Sequence, residues 1–167
     1  MIDAQLIFDG TLNATTGAAT GVAITAVSTT QDSTNVIDLL TGRDLGAGSI
    51  LGIHVDVTVA FTVGTSLQID FEVSSAAAGT YYSILTSEVI PVAQLIVGAP
   101  IFRYGVPLNQ VLNATAGIPN VPGRFLKLVY TTVGTFSTGK VFSYISPTHD
   151  RQEQYIYPKN YTATTVL

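Results

Sequence analysis

The stretch ILGIHVDVTVAFTVGTSLQIDFEVS, Ile50 to Ser74, decides the fold. Leu51, Ile53, Val55, Val57, Val59 and Phe61 alternate with His54, Asp56 and Thr58. Beyond Gly64 the alternation resumes, with Leu67, Ile69, Phe71 and Val73 set against Gln68, Asp70 and Glu72. A period of two is the signature of a β-strand, whose successive side chains point to opposite faces. Ten apolar groups therefore share one face of this strand pair and the polar groups share the other. One face is core, and the other meets water or a partner. Each fully buried aliphatic or aromatic side chain contributes about 1.5–3 kcal/mol. No other stretch of the chain offers as much.

Outward from this pair, the chain reads as a series of short strands. Residues 3–10 form an extended segment, and Thr11 to Gly21 reads as a loop of small residues. Val22 to Val27 is a weak strand and Asn35 to Leu39 a better one, followed by a glycine-rich loop from Thr41 to Gly48. After the pair, Tyr81 to Val89 is a strand, and Pro91 to Gly98 has the residues to open and close one helical turn. Ile101 to Leu108 suits a sheet edge, because Pro107 cannot donate a ladder hydrogen bond. Asn109 to Gly123 is a long loop. Arg124 to Thr132, with Leu126, Leu128 and Tyr130 on one face, and Lys140 to Ser146 are the last strands, separated by a turn over Gly134 to Gly139. About eight strands with no long amphipathic helix predict an all-β, antiparallel sandwich or barrel.

The 167 residues fit one domain, 1–167, large enough to bury about 70% of its unfolded surface. Only 11% of residues are charged and 47% are hydrophobic, against about 25% charged in average domains. So sparse a charge predicts a subunit partly covered by other chains. Eight acids and one base fall in residues 1–80, and six bases and three acids in 81–167. No basic stripe suits nucleic acid. No cysteine is present, which excludes disulfides and thiolate metal sites. The start of the chain lacks the pattern of a signal peptide, and the apolar run Val89 to Phe102 is too short and broken to span a bilayer.

In order along the chain, Asp3-Ala4-Gln5-Leu6, Ser33-Thr34-Asn35-Val36-Ile37-Asp38-Leu39, Gly42-Arg43-Asp44-Leu45-Gly46 and Pro91-Val92-Ala93 are followed by Arg124-Phe125-Leu126-Lys127-Leu128 with Gly139-Lys140-Val141, then Asp150-Arg151-Gln152 before Tyr157-Pro158. This ordered set resembles the jellyroll capsid cement, or decoration, proteins of tailed bacteriophages. The resemblance implies an antiparallel eight-stranded jellyroll β-sandwich, made in the host cytoplasm. It would oligomerise on the outer surface of the phage head and clamp neighbouring subunits of the major capsid protein. Its role is structural, not enzymatic, with no cofactor and no bound metal. A homodimer is the first expectation and a trimer the second. A carbohydrate-binding or host-attachment sandwich of a virion is the alternative, though a sugar binder without Trp has only Phe and Tyr to offer as platforms.

His54 and His149 lie far apart in sequence, and there is no Gly-x-Ser-x-Gly elbow and no phosphate-binding loop. His54 stands at an outward strand position and reads as a surface or interface imidazole. If the two anchoring strands form a direct hairpin, Asp56 faces Glu72, and opposed like charges destabilise a pair; a jellyroll also allows the two strands to lie in different sheets, which would separate the acids. Such acids suit a divalent cation, a glycosidase pair, or a solvated or partner-facing patch, and the last is the expectation here. The sequons at Asn13, Asn113 and Asn160 are expected to be idle. From Pro147 to Leu167 the alternation ends. This extended C-terminal tail is expected to lie over a sandwich, anchored by Arg151, Tyr155, Tyr157 and Tyr161.

Overall fold

The computed structural model describes residues 4–13, 15–40, 51–106 and 123–147. Within them the chain forms thirteen strands and two short 3-10 turns. The first strands are short: β1 (Ile7–Asp9), β2 (Thr11–Leu12), β3 (Ala19–Thr20), β4 (Val22–Ala23), β5 (Thr30–Asp32) and β6 (Ile37–Asp38). The two long anchoring strands are β7 (Leu51–Val63) and β8 (Ser66–Ser74). Then come β9 (Tyr82–Thr86), β10 (Ile90–Pro91), β11 (Pro100–Gly105), β12 (Phe125–Val133) and β13 (Phe136–Pro147). One antiparallel sheet runs β1-β13-β7-β11, with β4 also on β13. The other runs β10-β8-β12-β5, with β6 also on β12 and β9 on β8. The two pack face to face as a β-sandwich, the geometry that buries one face of each sheet. No helix among the described residues is long and apolar enough to cross a membrane.

The alternation in Ile50 to Ser74 produces the core as expected. Ile53, Val55 and Val57 from β7, Leu67, Ile69 and Phe71 from β8, and Leu126 and Leu128 from β12 are buried in one cluster, and Leu51 packs against its rim. Aromatic rings tie the layers together, Phe8 meeting Phe71 edge-on at 6.2 Å. One open alternative is decided and one expectation is corrected. β7 and β8 do not form a hairpin: the chain turns at Gly64 and enters the opposite sheet, so each strand pairs with distant partners. At that corner Gly64 has φ +37°, and a Cβ there would overlap the Phe136 ring. Val59 shares the core parity yet is 40% exposed, because the β7–β13 ladder shifts register repeatedly between Phe136 and Val141. Bulges of this kind re-aim side chains.

Smaller differences have similar causes. Thr11 to Gly21 is not a plain loop: β2 and β3 pair there, Thr11 with Thr20. The Asn13 carboxamide oxygen, from the first sequon, accepts hydrogen bonds from the Thr15 and Thr16 amides, an Asx turn that replaces ladder bonds. β13 starts at Phe136, so the expected six-residue turn contracts to Gly134 and Thr135. Val92–Gln94 is a single 3-10 turn. Residues 41–50, 107–122 and 148–167, where the two long loops and the tail were expected, lie outside the described residues, with Asn113, His149 and Asn160 among them.

Between the sheets lies a polar clamp that alternation alone does not announce. Asp9, Tyr130 and Ser143 are all buried. The Tyr130 hydroxyl donates to Asp9 Oδ2 at 2.6 Å and Ser143 Oγ donates to the same oxygen at 2.7 Å. The Thr34 amide donates to Asp9 Oδ1 at 2.7 Å. Burying a carboxylate is costly unless its oxygens are satisfied, and here both are. The clamp joins β1 and β13 of one sheet to β12 of the other. Burial, then the Asp9 carboxylate, pushes the Tyr130 phenol well above its usual range.

Candidate interaction face

Outward-pointing residues of the β11, β7 and β13 strands meet on the solvent side of their sheet. Arg103 pairs with His54 and His54 with Tyr144, so three strands contribute one row. Asp56, two residues beyond His54, accepts from Arg103 Nη2 at 2.6 Å and from the Tyr144 hydroxyl at 3.4 Å. The His54 ring stacks on Tyr144 at 5.1 Å with 26° between planes, and Phe142 lies against Tyr144 at 5.0 Å. Ile7 and Leu12 extend this row into a second, smaller apolar cluster.

His54 is on the face expected for it, but it is 4% exposed rather than solvated. This corrects its reading as a surface imidazole: aromatic neighbours on a strand ninety residues away cover an outward position as well as a core would. Neither ring nitrogen has a hydrogen-bond partner, nor does Arg103 Nε. Burial, with the Arg103 charge adding to it and Asp56 opposing, lowers the pKa of His54 to about 4. Burial raises that of Asp56, against the pull of Arg103. The Tyr144 phenol is pushed up by burial and by Asp56.

Glu72 lies on the outer face of the other sheet, so Asp56 and Glu72 are not opposed. Glu72 pairs instead with Lys127 of β12, whose ammonium lies 3.4 Å from Glu72 and 3.0 Å from Asp32. The same ammonium sits 4.5 Å from the centre of the Tyr81 ring. Asp70 accepts from the hydroxyls of Ser83 and Thr86. Asp38 and Arg124 form a bidentate pair at 2.7 and 2.9 Å. Asp32, Asp38, Asp56, Asp70 and Glu72 thus take up cations or hydroxyls of the same chain. Among the described residues no group of three or more His, Cys, Asp or Glu could hold a metal. The predicted anchors Arg151, Tyr155, Tyr157 and Tyr161 lie outside the described residues.

Sequence reading missed Arg103, Lys127 and Tyr144 as members of these clusters. Which acid each would meet depends on strand pairing, which alternation within one strand does not give. Two shallow hollows, each of about 250 Å³, border the sheets. One is lined by Ile90, Pro100, Ile101 and Tyr104 with Glu88, the other by Ile24, Val59 and Phe136 with Lys140. Compared with models of known protein families and with curated proteins, the chain matches none.

Proposed function

We propose that the chain is a capsid cement protein, a jellyroll subunit on the outer surface of a tailed-phage head that ties neighbouring major capsid subunits together. The observation that carries this reading is the strand pairing order. The short strands β1 and β4 follow one another along β13, β5 and β6 along β12, and β9 and β10 along β8. Merging each such pair, and leaving the β2–β3 hairpin aside, gives eight strands. In chain order the first pairs with the eighth, the second with the seventh, the third with the sixth and the fourth with the fifth. That is one long antiparallel ribbon wrapped so that successive rungs fall in alternate sheets, the arrangement expected of a jellyroll. It is also the fold implied by the resemblance of the ordered motifs.

The surface supports a role among other chains. Most of the described charges neutralise one another within the subunit, leaving hydroxyls and apolar groups to face outward. Val27, Val63 and Val133 are exposed and gather at the end holding the Gly64 and Gly134 turns, since Val27 bridges Thr135 and Val63 pairs with Phe136. Apolar exposure of this kind suits a contact surface. Partners are the major capsid protein and a second copy of the chain, and the work is mechanical, with no cofactor required. The test is to add purified protein to shells built from the major capsid protein of the encoding virus and to sediment the mixture. The reading expects saturable co-sedimentation, with the bound protein accessible to protease from outside. Protein left wholly in the supernatant at saturating input contradicts it.

A further inference from the structure

We propose that two copies of this chain join edge to edge through β11, antiparallel about a two-fold axis at Tyr104. Among the described residues the first sheet ends at β11, which pairs there only with β7. The Val106 amide donates to the Leu51 carbonyl, and the register continues through Tyr104 opposite Ile53 and Phe102 opposite Val55. In an antiparallel ladder backbone groups alternate between the two sides. Those of Arg103 and Gly105 therefore point away from β7, and no hydrogen bond of the described residues uses them. They form an open template for another strand.

Other edges are blunted along their length, whereas the one register shift of β11 falls at its start, between Pro100 and Phe102. β9 changes register in its middle, and β1, β5, β6 and β10 have two or three residues each. From Phe102 to Gly105 the β11 ladder runs without a bulge. Its one charge, Arg103, is held on the outer face by Asp56 at 2.6 Å and does not guard the edge.

Charge then selects the partner's register. An axis at Arg103 would oppose two guanidinium-bearing residues, which is unfavourable. An axis at Tyr104 sets Arg103 of each copy opposite Gly105 of the other, where there is no side chain to crowd or repel it. Both residues have free edge groups, so this register makes four backbone hydrogen bonds. It also brings the two Tyr104 side chains directly opposite each other. Each is 40% exposed and leans on Phe102 at 4.7 Å. Directly opposed residues point to the same face, so Tyr104 of each copy reaches toward the hollow bordered by Ile90, Pro100 and Ile101 in the other. The contact is isologous and closes at two copies.

This gives a location to the self-association proposed above and rests on that part of the reading. Its test uses free protein, so its failure is distinct from a failure to bind shells. Sedimentation equilibrium of the full chain is compared with Gly105→Pro, which removes an edge-facing N–H while the Val106 to Leu51 bond remains, and with Tyr104→Asp, which sets like charges across the axis. The proposal expects a wild-type dimer and a dissociation constant raised at least about tenfold in both variants. In this cysteine-free chain, Tyr104→Cys should oxidise to a linked dimer and Thr16→Cys, on the distant β2–β3 turn, should not. A wild-type monomer or trimer, a dimer unweakened by both variants, or a Tyr104→Cys chain that never links overturns it.

Discussion

At the scale of single residues, His54 and the Asp9 clamp show how burial sets behaviour far from any catalytic role. The folded state holds His54 neutral down to about pH 4, whereas the unfolded ring protonates near 6.5. Above pH 6.5 the ring is neutral in both states. As pH falls from 6.5 to about 4 the unfolded chain binds a proton that the fold refuses, so this residue removes about 3 kcal/mol of stability by pH 4. Asp56 works in the opposite sense, because a carboxyl with a raised folded pKa penalises the fold at high pH and is relieved as pH falls. His54→Phe keeps a ring against Tyr144 and removes the titration. Urea unfolding should show the variant gaining about 3 kcal/mol on the wild type between neutral pH and pH 4; a gap independent of pH contradicts this. Tyr130→Phe strips one donor from the buried Asp9 carboxylate and should cost about 1–3 kcal/mol by the same assay, whereas a loss below measurement would show that the clamp is slack. Of these groups, the sequence made legible only which side of a strand each occupies. That His54 is covered depends on Tyr144, ninety positions away, and that Tyr130 and Ser143 converge on Asp9 depends on contacts across more than a hundred positions.

At the scale of elements, the strands legible from period two are the long ones. β7, β8 and β12 fall where alternation puts them, with their apolar residues in one core. What alternation cannot reveal is whether the chain beyond a glycine folds back onto its own strand or crosses to the other sheet. Gly64 takes the second course, and Asp56 and Glu72 then acquire Arg103 and Lys127 as partners instead of each other. The bulges near Lys140 are equally silent in sequence, which is why Val59 leaves the core. The β2–β3 hairpin escaped notice because Ala and Thr alternate too little in polarity to signal a strand. The Gly64 corner carries strain: Val63, a β-branched residue, has φ +68° and is 70% exposed. A left-handed backbone costs most residues about 1–2 kcal/mol, and Asn tolerates it better. Val63→Asn should therefore raise the denaturation midpoint by the equivalent of about 1 kcal/mol, and a lowered midpoint would show that the side chain packs in a way its exposure hides. Gly64→Ala should destabilise by more than about 1 kcal/mol, because its Cβ meets the Phe136 ring.

At the scale of the whole molecule, a sandwich that pairs most of its described charges internally presents a surface suited to other chains. The low charge content was legible from composition, and the wrapped ribbon was legible only once pairing was known. The tail from Pro147 to Leu167, with Arg151 and its tyrosines, is proposed to carry part of the contact with neighbouring subunits. Deleting residues 148–167, which leaves β13 whole, should weaken shell binding at least about tenfold while leaving the unfolding midpoint of the free protein unchanged; undiminished binding would remove the tail from the account. The central claim is mechanical reinforcement, and heating tests it directly. Shells of the encoding virus, prepared with and without this protein, are warmed while their rupture is followed by light scattering. The account predicts that decorated shells rupture at a higher temperature and that adding purified protein back to bare shells restores the difference. Identical rupture temperatures for bare and fully decorated shells would contradict it.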